Sequence, residues 1–211
     1  MGWQRVGTMA VIVATAGAGT ASAEPAGIVV RTFNNYRVAA GDLREARAHA
    51  SAILSAARIT VTWIDCWHGD TPAVDAPARC AEPVGSDLVL RLQRAPEARG
   101  DQFVSLGFSL VTPKAGLKAS TTTPLPFLAT VYADLAEGVA RRAGVGSRPV
   151  LGRAIAHEIG HLLLNVNDHP REGVMRAAWL QAELRRRSHS KDWAFLEPEV
   201  AAMHAAIARR P

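Results

Sequence analysis

The chain has 211 residues, 48% of them hydrophobic and 20% charged, with a formal net charge of +5. These values are ordinary for a folded domain of one core and exclude disorder or coiled coil as a global description. The excess of positive charge is modest. Its densest run, "ELRRRSHSK" at 183–191, has no interleaved aromatic residues, so it reads as a solvated helix face and no nucleic-acid partner is expected.

The first 23 residues read as a secretory signal: Arg5 in a basic start, an apolar stretch "VGTMAVIVATAGAG", and "ASA" at 21–23 as a small-x-small cleavage site. Residues 24–211 are then one domain, with Glu24 at its mature start and a secreted or periplasmic location. No later segment reaches the roughly 18 apolar residues of a membrane helix, so stable insertion is not expected. An exported chain meets an oxidising compartment, and its two cysteines, Cys66 and Cys80, are expected to pair.

A β-branched stretch at 27–38 predicts a strand. Residues 41–59 carry Leu43, Ala46, Ala50, Ile53, Leu54 and Ala57 at helical spacing, with Asp42 as a candidate N-cap. Strands are expected at 60–67, 87–93, 103–111 and 128–133, and a helix at 134–144. The last forty residues read as helical, most firmly 197–210, with Val200, Met203, Ala206 and Ile207 on one face. The opening strand–helix–strand order suggests a parallel pair. The expected fold class is α+β, a mixed sheet with helices packed on it.

The helix opening at Ser147 and Pro149 carries the chemistry. From Val150 to Leu164 its only large polar residues are Arg153, His157, Glu158 and His161. A helix apolar around most of its circumference is buried, and polar groups there are costly unless satisfied. Positions 153, 157 and 161 form one stripe at i, i+4, i+8. Two histidines four apart project together and can share a zinc ion, while the intervening glutamate takes a proton from the water that the metal makes acidic. A second stripe, Gly152, Ala156 and Gly160, predicts close approach of another backbone, expected to be a sheet strand.

"HEIGH" at 157–161 followed by "HPREGVM" at 169–175 resembles the metzincin metallopeptidases, whose pattern is H-E-x-x-H-x-x-G-x-x-H followed by a Met-turn. The chain after the signal also looks like a group of small exported bacterial zinc-dependent proteases. The resemblance implies a metzincin-like catalytic domain with one catalytic zinc ion, Glu158 as general base, Met175 at the Met-turn, and a peptide or protein substrate. Two positions depart from the pattern. Leu164 stands where the family has glycine, which implies a longer helix or a different exit, and Asn165 or Asn167 could supply the left-handed conformation instead. Asn167 stands where the family has its third histidine. His169, two residues later, is the leading third ligand beside His157 and His161. Asp168 is its main rival, because snapalysin-like peptidases use an aspartate near this point.

The tyrosine that sometimes follows the family's Met-turn has no counterpart in "MRAAWLQ", leaving Tyr132 and Arg153 as candidates by proximity alone. His49, His68, His189 and His204 lack ligand spacing and read as surface or packing residues. No prodomain is seen between the signal and the first strand, so restraint would fall to a narrow groove or a separate inhibitor chain. Two other functions fit the same residues: a non-catalytic binding module that keeps the metal site, and a zinc amidase acting on cell-envelope material. Oligomeric state is not legible.

Overall fold

The computed structural model describes residues 26–68, 71–72, 77–81, 85–97, 105–111, 127–186 and 191–210. The segment read as an export signal lies outside the described residues, as does His189. Among the described residues six strands form one mixed sheet: β1 (Ala26–Asn34), β2 (Ile59–His68), β3 (Thr71–Pro72), β4 (Leu88–Gln93), β5 (Gly107–Ser109) and β6 (Leu128–Tyr132), in the spatial order β3-β2-β1-β4-β6-β5. The pairs β1–β2, β1–β4 and β4–β6 are parallel; β3 and β5 close the two edges in antiparallel pairings. Helices α1 (Ala40–Ala56), α2 (Ala133–Ala143), α3 (Ser147–Leu164), α4 (Gln181–Leu184) and α5 (Glu197–Ala208) complete the fold. This is the expected α+β class, with β1, α1 and β2 forming the parallel unit.

Side-chain alternation sorts the strands into two faces. Ile28, Val30, Leu88, Leu90, Leu92, Ala129 and Val131 are buried and join the core that α1 and α3 complete through Leu54, Ile155 and Ile159. Arg31, from the opposite face of β1, lies 3.6 Å from the fully buried carboxylate of Asp87. Arg79 donates to the same carboxylate at 2.8 Å, and Arg31 donates to the Arg79 carbonyl at 3.3 Å. A buried carboxylate needs such partners. These bonds and the Cys66–Cys80 disulfide, with a Cα–Cα distance of 5.4 Å, hold residues 77–81 against the sheet. The bridge closes a loop with a separation of 14 residues. Reducing it is expected to lower the free energy of unfolding by about 3 kcal/mol through restored freedom of the unfolded chain. Urea titrations with and without reductant measure this, and coincident midpoints would refute it.

Several local expectations change. Asp42 is not the cap of α1: the helix begins two residues earlier, after Ala39, and Asp42 instead pairs with Arg148 at 2.9 Å. The partner of the glycine stripe is not a strand. A Cβ at Gly152 would meet α1, at the Ala46 carbonyl and 2.6 Å from His49 Cβ; one at Gly160 would lie 2.5 Å from Met175 Sδ and 2.7 Å from Phe195. Two glycines on α3 thus admit a neighbouring helix and the C-terminal segment. The last forty residues are less helical than their composition implies. Residues 171–180 follow an irregular path, and among the described residues of this region only α4, a 3-10 turn at Lys191–Trp193 and α5 are helical.

Candidate metal centre

Helix α3 is buried from Val150 through Leu163 and carries its polar residues into the interior. It ends at Asn165, whose backbone is left-handed (φ 52°, ψ 43°). Asparagine is among the few residues with a side chain that tolerate this conformation, so it serves where glycine would stand. The chain therefore turns immediately after the helix and passes back across its end. Two consequences follow: the Val166 carbonyl lies 2.7 Å from His161 Nδ1, and His169 comes round to face the helical histidines.

The Nε2 atoms of His157 and His161 are 3.0 Å apart, and those of His161 and His169 are 3.2 Å apart. One nitrogen from each of the three rings falls within a 4.8 Å cluster. His157 Nδ1 lies 2.9 Å from the Val174 carbonyl. A carbonyl only accepts, so both helical rings carry a proton on Nδ1 and leave Nε2 as a lone pair. Neutral rings so arranged cannot hydrogen-bond to each other through Nε2. Their lone pairs repel unless a cation lies among them. Tetrahedral zinc bonds of about 2.0–2.1 Å would set donor nitrogens roughly 3.3 Å apart, close to the spacing seen. Carbonyls that orient ligating imidazoles through the other nitrogen are the usual support of such sites. Burial drives all three imidazoles toward the neutral, ligating form: the His157 ring is pushed down to about 3, and those of His161 and His169 are lowered. The donor set fits a metal ion.

Asp168 is exposed and is not part of this cluster, and Asn167 is exposed as well. Met175 is fully buried beneath Gly160, in a segment that begins with the left-handed Gly173 (φ 76°) and supplies the Val174 carbonyl to His157. Its sulfur packs against Gly160, the residue before His161 on the same helix.

Glu158 is 3% exposed and faces β5. Ser109 Oγ lies 2.8 Å from both Glu158 Oε2 and the Glu158 carbonyl oxygen. Its single proton goes to one acceptor at a time. When Oε2 is ionised the hydroxyl donates to it; when Oε2 carries a proton, that proton can be given to Oγ while the hydroxyl donates to the carbonyl. Burial raises the Glu158 carboxyl to about 7, and the Ser109 bond opposes that rise. The strand approaches so closely that a Cβ on Gly107 would meet the Thr130 carbonyl and lie 2.8 Å from Glu158 Oε1. Only glycine fits there.

Arg153 shares the polar stripe but has a structural task. Its guanidinium donates to the carbonyls of Leu184 and Arg186 at 2.9 and 2.8 Å and stacks 3.8 Å over the Trp193 ring. Burial lowers it to about 10. Trp193 meets Trp179 edge-on at 5.3 Å, and Trp179 meets His157 edge-on at 6.0 Å. Arg153 thus braces the layer that backs the first histidine. Tyr132 lies beside Phe108, with ring centroids 6.2 Å apart. Burial, and then the negative charge of Glu158, raises its pKa. Among the other histidines, His204 Nε2 lies 2.8 Å from the Ala57 carbonyl, a packing contact.

Ser109, Gly107 and Trp179 were not legible as site residues. Ser109 and Gly107 sit on a three-residue strand far from α3 in sequence, and nothing local marks them. The paired tryptophans of the C-terminal segment were the nearest available signal, because large aromatics in a polar stretch require something to pack against.

Comparison with protein-family models finds no match to this chain, and comparison with curated proteins finds none either.

Proposed function

We propose that the chain is an exported zinc-dependent peptidase, with His157, His161 and His169 as ligands and Glu158 as general base. One observation carries this reading. Three imidazole Nε2 atoms converge, two of them on rings whose Nδ1 protons are committed to backbone carbonyls, and a buried carboxylate follows the first ligand in sequence. Zinc at that point would supply a Lewis acid for the scissile carbonyl and make water acidic enough to attack near neutral pH. Glu158 accepts the proton of the attacking water at its carboxylate and returns it to the leaving amine. Ser109 holds that carboxylate in place in either protonation state, by the exchange of donors described above.

A peptide substrate is favoured by the position of β5. It forms the edge of the sheet, pairs with β6 alone among the described strands, and runs beside Glu158. An extended peptide can add to such an edge through backbone hydrogen bonds. The disulfide supports an oxidising compartment. No helix of the described residues is long and apolar enough to cross a membrane.

The test measures metal content and hydrolysis on one preparation. Purified protein is expected to hold about one zinc ion per chain and to cleave casein or a broad peptide library. A chelator should abolish that cleavage and added zinc restore it. Zinc-loaded protein that cleaves no peptide but releases amide-linked fragments from isolated envelope material would move the assignment to an amidase. No cleavage of either would leave a binding module.

A further inference from the structure

A cavity of about 710 Å³ opens at the other end of the sheet order, between α1 and the β2 edge. That volume lies within the range of small-ligand sites. Its construction is specific. Strand β2 carries a bulge: Thr32 of β1 pairs with Asp65, but the next residue, Phe33, pairs with Trp67. Cys66 is the extra residue. Without it, alternation would turn His68 away from α1. With it, His68 pairs with Asn34 and shares the helix-facing side with Trp63 and Asp65.

Asn34 then sets the chemistry of His68. The Val38 N–H donates to Asn34 Oδ1 at 3.0 Å, which fixes which end of the amide is oxygen. Asn34 Nδ2 lies 2.8 Å from the Val38 carbonyl and 3.1 Å from His68 Nδ1. His68 Nδ1 is therefore the acceptor, and the neutral ring carries its proton on Nε2 as a donor. Arg44, exposed on α1, lines the same cavity, and its charge also acts on the neighbouring Glu45 carboxylate. The remaining polar groups are locked in place. Arg47 pairs with Asp65 and lies 5.5 Å over the Trp63 ring, whose indole N–H donates to Ser51 Oγ at 2.9 Å. Leu43 supplies apolar surface, and Trp67, 36% exposed, also lines the cavity.

We propose that this groove binds a carboxylate-bearing saccharide. Arg44 and His68 Nε2–H line one groove and offer donors to an anionic group. The indole and leucine surfaces suit the C–H face of a sugar ring, and the oxygens of Asp65 and Ser51 accept hydroxyl protons. A neutral apolar ligand would leave the donors unanswered, and a bare inorganic anion would leave the indoles uncovered. The inference stands apart from the metal centre, which lies on α3 and the turn that follows it.

The test is calorimetric titration of the full chain with three probes: a glucuronic-acid disaccharide, a disaccharide containing N-acetylmuramic acid, and neutral cellobiose. At least one acidic probe is expected to bind at least about tenfold more tightly than cellobiose, the worth of a charge-assisted hydrogen bond. Preference for the first acidic probe points to an acidic polysaccharide, and for the second to wall glycan. Arg44→Ala and His68→Ala should each weaken that binding about tenfold, whereas His68→Gln, which keeps an N–H donor, should stay close to wild type. Circular dichroism checks that each variant is folded, and binding should survive a chelator. The proposal is overturned if neither acid binds, if cellobiose binds as well, if both alanine variants bind like wild type, or if chelation abolishes binding.

Discussion

Replacing Glu158 with glutamine is expected to leave zinc content and fold unchanged while slowing hydrolysis at least about 10²-fold, the usual loss on removing a general base. The substitution keeps the size of a side chain that is 3% exposed and packed against Gly107 and Ser109. Glutamine can still accept the Ser109 hydroxyl bond through its amide oxygen, so the Ser109 donor keeps its partner. It cannot take a proton from water. Zinc stoichiometry and turnover need to be measured together, since a variant that lost metal would be slow for another reason. Equal rates in the variant and the wild type would remove Glu158 from the mechanism.

His169→Ala is expected to leave the protein nearly metal-free after dialysis, while Asp168→Ala and Asn167→Ala retain about one zinc ion per chain. The difference follows from where the turn after α3 places these residues. Asn165 reverses the chain in a left-handed conformation, and two rings already converge through Nε2 atoms 3.0 Å apart. His169 brings its own Nε2 to 3.2 Å from that of His161. Asp168, the residue before it, is not part of that cluster. Elemental analysis of the three variants decides the point. Retention of zinc by His169→Ala together with loss in Asp168→Ala would assign the aspartate. The fold should survive in all three, because none of these residues is buried.

Much of the fold was legible because it rests on local periodicity. The apolar run of α3, the 3.6-residue spacing of α1 and the β-branched stretches of β1 and β2 each require burial of one face or of the whole element, and each element formed close to where the pattern placed it. The C-terminal region was over-read as helix. Alanine-rich composition raises helix propensity, but residues 171–180 spend their backbone groups elsewhere: the Val174 carbonyl accepts from His157, and the Val174 N–H donates to Ala194. Tertiary demand overrode propensity there. The cap of α1 was misplaced for a related reason, since Asp42 answers Arg148 across a helix pair that no local window contains.

Sequence by itself determined the two helical histidines, the glutamate between them and the cysteine pair. In each case the chemistry depends on a short interval or on an even count: four residues on a helix bring two imidazoles to one side, and two cysteines in an oxidising compartment have one partner each. The third histidine was readable only as one of several candidates, because its position depends on the exit angle of a helix rather than on spacing. Tertiary structure alone decided that Asn165 turns the chain so that His169 closes the cluster. It also decided that Ser109 and Gly107 seat Glu158, that Arg153 braces a tryptophan, and that Asn34 orients His68 across a bulge. Each of these contacts, the turn apart, joins residues more than 30 positions apart. Such contacts are set by how sheet, helix and loop pack together, and packing is a property of the whole core that no short stretch of residues records.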